Sequence, residues 1–443
     1  MIVVEDVPTE FAFHAIDDAS TTTPEPTSYH EAINSTDREK WMAAMRDELK
    51  SIHDNKTWIL CDLPRGRKCI GSRWIFKVKK DGNNKIVKYK ARVVAKGYSQ
   101  VAGLDFEDTF APVVRIESVR HLFAIAAFYG LYILQIDAKT AFLNGDSDLE
   151  LYISQIEGFE DRRNPHKVLR LRKSLYGLKQ APRIWYLLLC SQITSFGFKA
   201  LGSEPSIYYY SNRKVFLAVY VDDILIFGKS QQSCTEIYDL LARQFKMENL
   251  GPPKTFLGLN ILRSNGEISI NQTGYIDRMM KRFRMESAVT TSTPLPPSLP
   301  LLTTRPNDKK ANQQLYQEIV GSLNHIAVFS RPDISCAVSQ LSQFNKDPSE
   351  THLKAARHVL RYLKFTRHWR ITYGNAKTLD IRGYADANWG GDKNDRKSTT
   401  GYVFIINNGA VSWTSHKQST VALSTMEAEY MSLSDEAREV FAR

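Results

Sequence analysis

Two adjacent acids, Asp222 and Asp223, interrupt the apolar run VFLAVYVDDILIFGK (215–229). A buried carboxylate without a partner costs roughly several kcal/mol, so a plain core strand does not carry such a pair. A tight hairpin turn resolves the conflict, because the acids reach the sheet surface while both arms stay buried. Taken alone, an ordinary solvated Asp-Asp turn is the favoured explanation of the pair. A second stretch, ILQIDAKTAF (133–142), shifts the balance, since Asp137 also ends an apolar strand. If the two strands are neighbours, Asp137 and Asp222 converge at one end of a sheet. Clustered carboxylates repel one another unless cations offset the charge. Oxygen ligands with no nearby Cys or His select Mg²⁺ or Mn²⁺. Two such ions about 4 Å apart stabilise the attacking and leaving oxygens of a phosphoryl displacement.

The elements around these acids are mixed. STDREKWMAAMRDELKSI predicts a helix capped by Ser35 or Thr36, with Trp41, Met45, Leu49 and Ile52 on one face. SRWIFKVKKDGNNKIVKYKARVVAKGY predicts a β-hairpin turning at Asp81-Gly82. Alternation places Lys77, Lys79, Lys88, Lys90 and Arg92 opposite Phe76, Val78, Tyr89 and Val93, with Lys96 just beyond. Surface lysines usually mean a solvated face. Beside a phosphoryl-transfer site, some of them are expected on triphosphate or template phosphates, with Arg92 and Lys96 the leading candidates. SVRHLFAIAAFYG predicts a helix stopped by Gly130. THLKAARHVLRYLKF predicts another, with Leu353, Ala356, Leu360 and Leu363 inward. Its Lys354, Arg357, Arg361 and Lys364 suit either solvent or a duplex backbone. Five prolines between Pro294 and Pro306 exclude regular structure there. Three strands and a helix close the chain. The order of elements is α+β, without regular βαβ alternation.

The bulk composition is compatible with this chemistry. With 443 residues the length suggests about three domains. Fifty-nine Lys+Arg against 48 Asp+Glu give a net charge of +11, a weak footprint of a polyanionic partner. The five cysteines show neither CxxC spacing nor a nearby His, against a zinc site or a disulfide framework. The acidic N-terminus is no signal peptide, and no apolar run reaches the ~18 residues of a membrane span. A soluble intracellular protein is expected.

YVDD in an apolar hairpin, LQIDAKTAFLNG upstream and LRKSLYGLKQAPRIWY between them resemble the reverse transcriptase of copia-type LTR retrotransposons. KYKARVVAKGYSQ, EDTFAPVVRIESVR, FKMENLGPPKTFLGLNI and DRKSTTGYVFIINNGAVSW extend the resemblance, in family order, from about Glu39 to the C-terminus. The resemblance implies a right-hand polymerase and the following division: a flexible lead-in (1–34), fingers and palm (35–229), a thumb-like region (230–287), a Pro-rich linker (288–308), a helical connection (309–375) and an incomplete ribonuclease H-like domain (376–443). It implies that Asp137 and Asp222 hold two Mg²⁺ or Mn²⁺ ions, with Asp223 catalytic but further from the metal. Phe142 matches the bulky gate that excludes a ribose 2′-OH, although a core aromatic is its plainer meaning. Tyr176 and Gly177 match the loop beside the incoming base and template. The implied partners are an RNA or DNA template-primer and dNTPs, in a cytoplasmic particle or the nucleus.

The last 68 residues resemble the ribonuclease H domain of the same elements, with Asp386 and Glu429 matching two metal-holding acids. Glu427 lies about 200° round the helix from Glu429, and Asp435 about 240°, so neither substitutes for a further acid. Without the family's later acids and strands, no ribonuclease H activity is expected. The absence of protease and integrase regions suggests a piece of a longer polyprotein or a decayed genomic copy. A competing reading is a catalytically inactive nucleic-acid-binding remnant of a transposon. A purely structural protein would leave the acids on apolar strand ends unexplained.

Overall fold

The computed structural model describes residues 25–80, 86–296 and 301–442. Two compact units form, neither continuous in sequence: Thr21–Val114 with Leu134–Gly251, and Arg115–Ile133 with Pro252–Arg443. Residues 1–24, most of the expected lead-in, lie outside the described residues. From Tyr29 to Asn34 the chain is already helical and capped by Ser28, so the lead-in ends earlier than residue 34.

In the first unit, three sheets share one frame. β1 (Trp58–Cys61) pairs with a later strand, and β2 (Ser72–Lys80) and β3 (Ile86–Ala95) form the basic hairpin. The two hairpin strands pair antiparallel as the alternation predicts, while the Asp81-Gly82 turn lies outside the described residues. β4 (Tyr132–Ala138) carries Asp137. β5 (Tyr152–Ile153) and β6 (Val168–Leu171) complete a small sheet with β1. β7 (Lys199–Leu201), β8 (Glu204–Tyr210), β9 (Val215–Tyr220), β10 (Asp223–Gly228) and β11 (Met247–Gly251) join β4 in a six-stranded sheet ordered β11-β4-β10-β9-β8-β7. β4 and β10 are therefore neighbours, which was the condition for the acids to converge.

Helix Arg38–Asp54 lies against β3 with Trp41, Met45 and Ile52 buried, and Trp41 meets Tyr89 edge-on at 4.7 Å between ring centroids. Its N-cap position falls on Asp37 rather than Ser35 or Thr36. Ser35 instead donates its hydroxyl to the Ala32 carbonyl and finishes the preceding helix.

The second unit assembles from distant parts of the chain. Helix Ile116–Tyr129 ends at Gly130, whose φ of +63° is the left-handed conformation of a helix stop. Helices Thr273–Arg282, Gln313–Phe329, Ser335–Ser342 and Glu350–Phe365 bury a common apolar core. A four-stranded sheet of β12 (Thr255–Phe256), β13 (Leu259–Ser264), β14 (Glu267–Asn271) and β15 (Ile371–Tyr373) lies in the same unit. So does a three-stranded sheet of β16 (Ile381–Asn388), β17 (Thr399–Ile406) and β18 (Gly409–Lys417), with helix Thr425–Ala442 against it.

Two domain boundaries move. The break expected at 229/230 falls after Gly251, because β11 pairs with β4 and draws Gln231–Gly251 into the first unit. The expected block 35–229 is itself interrupted, since Arg115–Ile133 belongs to the second unit. The proline-rich stretch has no helix or strand among its described residues, as expected, but helix Glu350–Phe365 grips it. Arg361 Nε donates to the Val289 carbonyl, and Lys364 Nζ to those of Glu286 and Ala288. Two of the four cations that suited a duplex backbone are thus committed to the chain's own carbonyls, while Lys354 and Arg357 stay exposed. Among the described residues no helix is long and apolar enough to cross a membrane.

Candidate active site

β9 and β10 are joined by a two-residue loop, Val221-Asp222, with Tyr220 opposite Asp223. Val221 takes a φ of +53°. A first loop residue with positive φ suits the twist of a hairpin, yet for a β-branched side chain it is an outlier. The turn is held by Trp185 of helix Ala181–Ser195, which is 1% exposed and donates its indole N–H to the Val221 carbonyl at 2.8 Å. On the adjacent strand, the Ala138 amide donates to the Asp222 carbonyl at 2.9 Å, fixing Asp137 and Asp222 next to each other. Just past β4, Thr140 has a φ of +52°, so a second β-branched residue sits in the left-handed region. Such strain persists only where surrounding structure over-determines it.

The electrostatics of the pair follow from the geometry. Burial pushes the Asp222 carboxyl above its ordinary range and the Asp137 charge adds to this, while Arg92 and Lys90 pull the other way. Asp137 has a cation of its own, Lys139, whose Nζ is 3.8 Å from Asp137 Oδ2 and also meets Glu248, the residue opposite Asp137 on β11. Asp223 begins β10, one residue out of phase with Asp222, and its Oδ1 accepts from Gln135 Nε2 at 3.4 Å. Two adjacent carboxylates, Asp222 with its proton affinity raised by burial and by the Asp137 charge, are the kind of oxygen donor set a hard divalent cation accepts. No cluster of three or more acidic, His or Cys ligands occurs among the described residues.

A second group of residues lies on the hairpin side. The Ala95 amide of β3 donates to the Tyr176 carbonyl at 2.8 Å, so the SLYG loop attaches to the free edge of that strand. Glycine is required at this crossing. A Cβ on Gly97 would lie 2.0 Å from the Gly177 carbonyl oxygen, and one on Gly177 (φ +88°) 2.3 Å from that of Ala95. Arg92 places its guanidinium 4.7 Å from the Tyr176 ring centroid, and Phe142 meets the same ring at 5.1 Å and 60°. Arg92, Tyr176 and Phe142 thus form one contiguous surface. Lys96 lies instead along Gly71, and the cation that joins Arg92 in acting on Asp222 is Lys90.

In the second unit, Asp386 is exposed on β16 and Glu429 half-buried on the last helix. Ser432 Oγ donates to the Asp386 carbonyl at 2.9 Å, joining that helix to β16. Glu427 accepts the Leu423 amide in its first turn, and Asp435 meets His416 at 3.1 Å, so both are engaged elsewhere.

Sequence reasoning missed Trp185, Lys139 and Gln135. Only Lys139 carried a signal, a cation two residues from Asp137 on a strand end. The other two act through contacts 36 and 88 residues away in sequence.

Residues 55–297 match the family model described as reverse transcriptase (RNA-dependent DNA polymerase). The chain is 40% identical over 426 residues to the retrovirus-related Pol polyprotein from transposon TNT 1-94 of Nicotiana tabacum, covering 94% of this chain and 32% of that protein. It is 39% identical over 412 residues to the Pol polyprotein from transposon RE1 of Arabidopsis thaliana, covering 92% and 28%. It is also 37% identical to a putative transposon Ty5-1 protein of Saccharomyces cerevisiae, covering 69% of this chain and 100% of that one. The chain belongs to the reverse transcriptase family, the RNA-directed DNA polymerases of transposon Pol polyproteins. It spans about a third of the length of the Pol polyproteins it matches first.

Proposed function

We propose that the chain extends a primer 3′-OH with deoxynucleotides on an RNA or DNA template, with Asp137 and Asp222 as the catalytic carboxylates. The observation that carries this reading is the adjacency of Asp137 and Asp222 at one end of the six-stranded sheet, in a chain of this family. When bound at these two carboxylates, two Mg²⁺ or Mn²⁺ ions would lower the pKa of the attacking hydroxyl and offset charge on the transferred phosphate. The protein's own part is positional. β4 and the β9–β10 turn deliver two rigid carboxylates, and Trp185 prevents the turn from relaxing. Lys90 and Arg92 supply positive charge beside them for the triphosphate. Asp223, bonded to Gln135, supports the turn. In the right-hand description, the basic hairpin corresponds to the fingers and the six-stranded sheet to the palm. The segment after Pro252 would supply the thumb, connection and ribonuclease H-like parts.

Primer extension tests this directly. Protein, RNA template, labelled DNA primer, dNTPs and Mg²⁺ should give extended primer, and Asp222→Asn should lose extension by at least ~100-fold while still binding the duplex. A wild-type chain that binds the duplex but adds no nucleotide would leave the inactive-remnant reading standing instead. Asp386 and Glu429, with no cluster of three such ligands among the described residues, are proposed to give no ribonuclease H cleavage. In the same reaction the labelled RNA strand should stay intact, and metal-dependent nicking of it would refute that part.

A further inference from the structure

Asp137, Lys139 and Glu248 meet on one face of the six-stranded sheet. Asp137 is the next-to-last residue of β4 and Lys139 follows just past its end, while Glu248 on β11 is the cross-strand partner of Asp137. Carboxylates directly opposite each other on paired strands repel, and a cation between them offsets that repulsion. Lys139 is this cation. Its Nζ lies 3.8 Å from Asp137 Oδ2 and forms an ion pair with Glu248. The two contacts differ in kind: Glu248 Oε2 accepts a hydrogen bond from the ammonium, whereas Asp137 is met at ion-pair range only. Below the side chains the backbone is fixed, since the Lys139 amide donates to the Lys246 carbonyl at 2.8 Å.

We infer that Lys139 is a releasable counter-ion of Asp137, held in reserve by Glu248: it offsets the Asp137 charge before a divalent cation binds and withdraws onto Glu248 when one does. The inference deepens the polymerase reading and rests on it for the identity of the metal. A divalent cation on Asp137 and an ammonium beside the same carboxylate repel, so binding one loosens the other. The side chains allow the exchange, because Lys139 is 42% and Glu248 48% exposed, and neither is packed in the core. A lysine also suits a contact that must break, being a point charge on a flexible stem rather than a planar fork. Glu248 matters because it gives the displaced ammonium a partner on the same face. If instead Lys139 and Glu248 were independent surface charges, each would act on the metal separately and their effects would add.

The test reads metal binding without turnover. Mn²⁺ binding to the full chain is followed by the electron paramagnetic resonance of the free ion, at about 0.15 M salt to screen distant charges. The relevant Mn²⁺ is the one that Asp222→Asn loses. Lys139→Met should tighten it at least ~3-fold, because the competing cation is gone. Glu248→Gln should weaken it at least ~5-fold, because the ammonium then stays with Asp137. In the Lys139→Met background the same Glu248→Gln change should alter binding by less than about 2-fold. Thermal unfolding checks that each variant is folded, and Lys139→Gln is read in place of a Lys139→Met that is not. In primer extension, the Mn²⁺ concentration for half-maximal rate should move by the same factors, whereas a merely structural role would lower the rate at every Mn²⁺ concentration. Unchanged or weaker binding by Lys139→Met, or an equal effect of Glu248→Gln with and without Lys139, overturns the inference. So does a wild-type chain with no Mn²⁺ that Asp222→Asn removes. A chain that shows this binding pattern but extends no primer sinks the polymerase reading alone, and one that extends primers without the pattern sinks this inference alone.

Discussion

Asp222 shows how one residue acquires its properties from three neighbours. Val221 puts it at a turn that only a strained backbone provides, Ala138 ties its carbonyl to the strand carrying Asp137, and burial with the Asp137 charge raises its proton affinity. Asp223, adjacent in sequence, accepts from Gln135. Phe142 is half-buried and packs on Tyr176, which suits both a gate and a core aromatic. The two meanings predict different variants. If Phe142 gates the sugar, Phe142→Ala should raise ribonucleotide incorporation at least ~10-fold relative to deoxynucleotide with little change in stability. If it is core, the variant should lose about 3 kcal/mol and keep its sugar preference, as single-nucleotide insertion and thermal unfolding would show.

At the scale of elements, the β9–β10 hairpin is a rigid mount anchored from outside. Trp185 Nε1 on the Val221 carbonyl keeps a β-branched residue at φ +53°, a conformation costing on the order of 1–3 kcal/mol. Trp185→Phe keeps most of the apolar packing against Phe245 and removes the donor. It should cost about 1–3 kcal/mol, because a buried carbonyl loses its partner. It should also lower kcat more than it raises the KM for dNTP, checked by denaturant unfolding and single-nucleotide kinetics. Arg120 plays an anchoring part in the second unit. It is 1% exposed, lies 3.8 Å from the Trp413 ring, and donates to the carbonyls of Val411, Val328 and Phe329 at 2.6–3.0 Å. Nothing in SVRHLF distinguishes it from a surface arginine, because its partners lie more than 200 residues further on.

At the scale of the whole molecule, the second unit carries a pH sensitivity of its own. His325 is 6% exposed between the rings of Tyr275 and Phe329, and burial, aided by Arg278, pushes its pKa down to about 4. A histidine with a depressed folded pKa stabilises above its unfolded value, ordinarily about 6.5, and that stability is lost as pH falls through 6.5 towards 4. The loss should be on the order of 3 kcal/mol near pH 4. His325→Phe should flatten the dependence, as hydrogen exchange at the amides of helix Gln313–Phe329 across that range would show. An unchanged slope would reject the assignment.

The sequence by itself determined the local elements and the family. Alternation defined the basic hairpin, and interrupted apolar runs marked Asp137 and Asp222. Gly130 ended its helix, and ordered motifs named the reverse transcriptase. These are readable because period, turn chemistry and motif order are properties of neighbouring residues. Only the tertiary structure decided that β11 returns beside β4, that residues 115–133 join the unit built after Pro252, and that Arg361 and Lys364 grip the proline-rich strap. It alone turned Asp222, rather than Asp223, towards Asp137. Each of these is a pairing between segments far apart in the chain, where partner choice depends on which surfaces meet after folding and leaves no periodic trace.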